Sequence, residues 1–157
     1  MTPAARLQAA IELLDLIVSA AREQGPAADR IIAEWFRQRR YAGSGDRRAV
    51  RELVYRAIRA CGPIPQSGRA AMLRLAEADT SLASLFDGSR HAAALIEPGE
   101  KPANGGIAPE WLDTALTGSD ITGPDAAALL DRAPLDIRIN TLKAGCLNLP
   151  EEGSKTA

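Results

Sequence analysis

The stretch Asp46–Arg59, DRRAVRELVYRAIR, decides how this chain reads. Val50, Leu53, Val54, Ala57 and Ile58 recur at i, i+3, i+4, i+7 and i+8, which gathers them on one face of a helix. Arg47, Arg48, Arg51, Arg56 and Arg59 take the other faces. Asp46 precedes them, where a carboxylate can accept the unpaired backbone N–H groups of a first turn. Such a helix buries one side in a core and presents guanidinium groups on the other. The guanidinium fork donates paired N–H bonds, a geometry that suits phosphate oxygens.

The charge distribution sharpens this reading. Net charge over the 157 residues is only −1, which favours no class of partner. Residues 1–60, however, carry 11 Lys and Arg against 7 Asp and Glu, while residues 61–157 carry 8 against 13. Between 37 and 59 the ratio is 8 to 2, too few acids to neutralise the cluster. An asymmetry of this kind points toward nucleic acid or a membrane surface. No apolar run approaches the roughly 18 residues of a membrane span, and no signal-peptide pattern opens the chain. Cys61 and Cys146 form no C-x-x-C pair and have no histidine cluster beside them. Reduced thiols in a cytoplasmic protein are therefore expected, with neither a disulfide scaffold nor a metal site.

Working outward, Thr2 and Pro3 predict a helix start, followed by the stripe Leu7, Ala10, Ile11, Leu14, Ile17, Val18 and Ala21. Gly25-Pro26 ends that helix, and a second is expected over Ala27–Arg40 with Ile31, Ile32, Trp35 and Phe36 inward. Residues 41–45 read as a loop, with the third helix opening at Asp46 and closing at Gly62-Pro63. Further helices are predicted at Arg69–Ala78, Ser81–Asp87, Pro109–Leu116 and Pro124–Arg132. The texture of Glu97–Gly106, EPGEKPANGG, is that of a linker. Leu135, Ile137 and Ile139 alternate with Asp136, Arg138 and Asn140, the period of a half-buried strand. A lone strand needs a partner, so either a hairpin partner lies earlier in the chain or the strand is the first piece of a further domain, the reading that the resemblance described below favours.

The expected architecture is thus mainly α: a helical bundle over 1–96, a linker over 97–108, an extension over 109–143 ending in the strand, and a disordered tail over 144–157. Trp35, Phe36 and Tyr55 read as core, and His91 as a surface residue. Tyr41, in the loop beside Arg39 and Arg40, is the best candidate for stacking on an unpaired base.

Four segments in order carry a resemblance. The arginine-led helix from Asp46, the tetrapeptide Asp87-Gly88-Ser89-Arg90, and the pair Ala108-Pro109-Glu110-Trp111-Leu112 and Ala133–Lys143 (APLDIRINTLK) stand at plausible separations. Together they resemble the NusB-like RNA-binding region that opens the Sun (RsmB) family of RNA 5-methylcytosine methyltransferases. The resemblance covers roughly residues 1–143 and implies a NusB-like bundle that recognises RNA, with ribosomal RNA expected. It implies phosphate contacts from Arg39, Arg40, Arg47, Arg48 and Arg51. Trp111, Arg138 and Asn140 would help build the junction with a catalytic part, and Trp111 is expected to anchor the linker to the helical body.

The family's enzymes need a glycine-rich turn for S-adenosylmethionine and a cysteine nucleophile in a Pro-Cys context. Neither Cys61, after an alanine, nor Cys146, between Gly145 and Leu147, stands in that context. This chain alone is expected to be catalytically silent, with S-adenosylmethionine belonging to a catalytic domain in cis or in trans. Two other readings remain. One is a free-standing NusB-like factor that binds RNA and protein in transcription antitermination or ribosome assembly. The other is a helical bundle whose arginines meet an acidic protein surface.

Overall fold

Thr2 opens the first helix as its position requires: its hydroxyl accepts the Ala5 N–H at 3.2 Å, and α1 runs Pro3–Arg22. The computed structural model describes residues 1–131, and six further helices follow among them. They are α2 (Ala28–Arg37), α3 (Ser44–Ala60), α4 (Gly68–Ala78), α5 (Thr80–Ala83), α6 (Glu110–Gly118) and α7 (Gly123–Ala128). Helix α1 is the axis of the bundle, with α2, α3 and α4 packed around it. That surrounds more of it than a single stripe. Ala9 and Leu13 are buried as well as the expected Leu7, Ala10, Ile11, Leu14 and Val18, while Ala21 is exposed.

The core takes Ile32, Trp35 and Phe36 from α2, Val50, Val54 and Ala57 from α3, and Ala71, Met72 and Leu75 from α4. Each large apolar side chain removed from water in this way contributes about 1.5–3 kcal/mol. Trp35 and Phe36 meet edge to face at 4.9 Å between ring centroids, an arrangement that aromatic quadrupoles favour. Tyr55 sits at the margin, half-buried, and its hydroxyl donates to Asp29 Oδ1 at 2.6 Å, linking α3 to α2.

Helix α4 approaches α1 at a glycine. The Gly68 N–H donates to Asp15 Oδ1 at 2.6 Å, and Ser67 caps the helix by accepting from Ala70 N at 3.1 Å.

Several boundaries move from the sequence reading. Helix α2 stops at Arg37 rather than Arg40, because Arg39 N and Ala42 N bond to Phe36 O and Arg39 O and turn the chain inward onto buried Ala42. Helix α3 begins at Ser44, two residues before Asp46. The expected helix over Ser81–Asp87 is a single turn ending at Ala83, with Asp79 at its start accepting from Ser81 N.

The stretch read as a linker lies against the body instead. Ala103 is buried and its N–H donates to Ala70 O at 2.9 Å; Gly105 pairs with Cys61 in a β-bridge; Glu100 forms an ion pair with Arg69. Its prolines and glycines permit this irregular path, and the bonds come from the neighbouring helices. Beyond it α6 fully buries no residue and α7 buries only Ala126. Trp111 is 72% exposed, so it does not anchor this segment; Ile107, Pro109, Leu112 and Leu130 line an apolar cleft against α1 and α3 instead. No helix among the described residues is long and apolar enough to cross a membrane. The expected strand with Arg138 and Asn140, the tail and Cys146 lie outside the described residues.

Candidate nucleic-acid interface

Asp46 organises the face that the sequence singles out, from inside the helix. At the third position of α3 its carboxylate accepts the Gly43 N–H at 3.2 Å, one half of a capping box. Gly43 has no side chain to return the bond. The same carboxylate receives Arg6 Nε at 2.8 Å and the Met1 amine at 3.2 Å. The Arg6 guanidinium, aided by the amine and the Gly43 N–H, holds the Asp46 carboxyl below the usual carboxylate range against the opposing effect of desolvation. The chain start and the start of α3 are thereby pinned together.

The arginines then divide by what they touch. Arg37 pairs with Glu34, Arg56 with Asp79 at 2.9 Å, and Arg59 approaches Glu52 at 3.9 Å. Arg39 stands over the Trp35 ring at 3.9 Å and reaches Glu12 at 3.7 Å, so its guanidinium is partly engaged within the fold. Arg47 donates to Ala42 O at 2.9 Å and lies 5.6 Å from the Phe36 ring, which fixes the loop before α3. Arg40, Arg48 and Arg51 are exposed and have no carboxylate partner among the described residues. Arg48 and Arg51 are three apart on α3, and Arg47 and Arg51 four apart, so the three share one face. Tyr41 stands 72% exposed in the loop that leads to them.

Five of the expected RNA-contacting residues, Arg40, Tyr41, Arg47, Arg48 and Arg51, therefore come from one loop and one helix face, while Arg39 turns inward. The junction residue Trp111 is exposed at the first turn of α6; Arg138 and Asn140 fall outside the described residues.

A neighbour of Tyr41 was not legible in the sequence. Tyr41, Arg90 and His91 line one cavity of about 580 Å3 together with Gln8, Ala9 and Glu12 of α1. The tetrapeptide Asp87–Arg90 forms a closed turn here, with Gly88 N bonded to Ala93 O at 3.0 Å and Ser89 N to Asp87 Oδ1 at 2.9 Å. His91 takes a left-handed φ of 69° to complete it. About fifty residues separate the two walls in the chain, so no local motif announces them.

Cys61 is buried, and burial pushes its thiol up, away from the thiolate that nucleophilic chemistry needs. No three His, Cys, Asp or Glu side chains gather as metal ligands among the described residues. No protein-family model, curated protein or solved structure matches the chain.

Proposed function

We propose that the chain is an RNA-binding module with a NusB-like bundle, the N-terminal part of a Sun-type RNA cytosine-5 methyltransferase acting on ribosomal RNA. One observation carries the RNA reading. The guanidiniums of Arg40, Arg48 and Arg51, without carboxylate partners among the described residues, share one loop and helix face with an exposed tyrosine. Guanidinium groups held without carboxylate partners bind phosphate by releasing counterions, and an exposed aromatic ring adds stacking on an unpaired base. Such binding is largely independent of sequence and falls steeply with salt. Arg47 supports this face by ordering the loop. The assignment to the methyltransferase family rests on the ordered motifs of the sequence. Trp111, with Arg138 and Asn140, would meet the catalytic domain, and S-adenosylmethionine would be held there.

The test is fluorescence anisotropy with a labelled ribosomal RNA fragment over a salt series. Arg48→Glu/Arg51→Glu is the variant of choice, since neither side chain holds a carbonyl or a carboxylate among the described residues. Its log K against log salt should be shallower by about 2, from two lost phosphate contacts, with affinity reduced at every salt concentration. Unchanged affinity and slope would remove this face as the RNA-binding surface. Binding to an acidic protein with no affinity for RNA would favour the interaction-bundle reading instead.

A further inference from the structure

Resting on the RNA-binding reading, we propose that the cavity between α1 and the loops of Tyr41 and His91 receives one unpaired RNA base and prefers bases with an exocyclic amine. Its volume of about 580 Å3 lies within the ~300–1,000 Å3 of small-ligand pockets. A base needs a flat surface to stack on, cationic groups for its flanking phosphates, and polar groups at its edge. The exposed Tyr41 ring supplies the first. Arg90 on one wall supplies the second; Arg40, which precedes Tyr41 in the chain, does not line the cavity but adds an exposed cation beside it in sequence, and both are without a carboxylate partner among the described residues.

The third comes from α1. Gln8 Nε2 donates to Glu12 Oε1 at 3.4 Å, and Arg39, itself laid on Trp35, steadies Glu12 Oε2 from 3.7 Å. That leaves a half-exposed carboxylate in the cavity wall, oriented by two long contacts and with lone pairs free. A carboxylate repels phosphate, so the backbone of the RNA runs along the arginine rim and not along this wall. It accepts hydrogen bonds from the exocyclic amino group of adenine, cytosine or guanine, whereas uracil offers only its N3–H, set between two carbonyl oxygens that a carboxylate repels. The same carboxylate disfavours an acidic peptide as occupant. The turn carrying Arg90 and His91 is closed by its own hydrogen bonds, so little ordering is needed on binding.

The experiment uses the full chain and labelled uridine heptamers whose central residue is uridine or adenosine, followed by anisotropy at one fixed salt. The adenosine-centred oligomer should bind more tightly. Tyr41→Ala should weaken it roughly 5- to 100-fold, the effect of losing one stacked base, while Tyr41→Phe should retain binding. Glu12→Gln should reduce the preference for adenosine over uridine. Tyr41 is exposed, so unchanged circular dichroism is expected of its variants. The proposal is overturned if wild type does not distinguish the two oligomers, or if Tyr41→Ala binds as wild type does. In those cases the RNA reading still stands provided Arg48→Glu/Arg51→Glu weakens binding of the ribosomal fragment. Absence of any RNA binding would sink both.

Discussion

A methyl group at Gly68 would stand 2.7 Å from the Asp15 nitrogen and 2.8 Å from Leu14 Cβ, and would overlap the Ile11 carbonyl oxygen. Backbone atoms cannot rotate out of the way as a flexible side chain does. Gly68→Ala should therefore push α4 off α1 and destabilise the protein by about 1–3 kcal/mol or more, the range for overpacked interiors. Urea denaturation followed by circular dichroism measures this directly; an unchanged midpoint would mean that the helices adjust freely at their crossing. Nothing in the string QSGRAAM separates this glycine from a loop residue, because its constraint comes from α1, more than fifty positions earlier. Asp46 was half legible for the same reason. A carboxylate at a helix start is a local signal, but its bonds to Arg6 and the Met1 amine arise from the meeting of α1 and α3.

Helix α3 carries two kinds of arginine, and its own sequence does not distinguish them. Arg48 and Arg51 lean into solvent, while Arg56 reaches across to Asp79, whose carboxyl is lowered by hydrogen bonds from Ser81 and Arg56. The Arg56 side chain is 36% exposed, so the pair is screened by solvent and contributes little. Arg56→Ala should lower stability only slightly and leave the affinity for the ribosomal fragment, and its salt slope, as in wild type. A loss of RNA affinity matching that of Arg48→Glu/Arg51→Glu would extend the binding face down the helix and undo this division. Periodicity made the helices themselves readable, since an apolar stripe depends on residues three and four apart. It recovered Val50, Val54 and Ala57 as the inward face of α3, and Leu7, Leu14 and Val18 on α1. It could not count how many neighbours α1 would have. Nor could it foresee that α2 would end early, since that end depends on Ala42 turning into the core.

At the scale of the whole molecule, the segment from Ala94 to Gly105 joins a well-buried bundle to two lightly held helices. Composition made it look like a free tether, and its anchors come from elsewhere in the chain. Arg69 on α4 is the chief of these. It pairs with Glu100, donates to Ala94 O and Leu95 O at 3.1 and 3.0 Å, and lies 5.1 Å from the Phe86 ring. Glu100 is correspondingly held below the usual carboxylate range by its hydrogen bond to Arg69. Amides in such a unit exchange by local opening rather than by global unfolding, so its protection depends on these few contacts. Arg69→Met keeps the apolar stem and removes the donors. In the variant, hydrogen exchange at Ala103, whose N–H is bonded to Ala70 O, should accelerate, while the amides of α1 keep wild-type rates. In wild type α6 and α7 should already exchange faster than α1, α3 and α4, since they bury almost nothing. Equal acceleration across α1 and Ala103 would show that the segment opens only when the whole bundle does, and that Arg69 stabilises the fold as one unit.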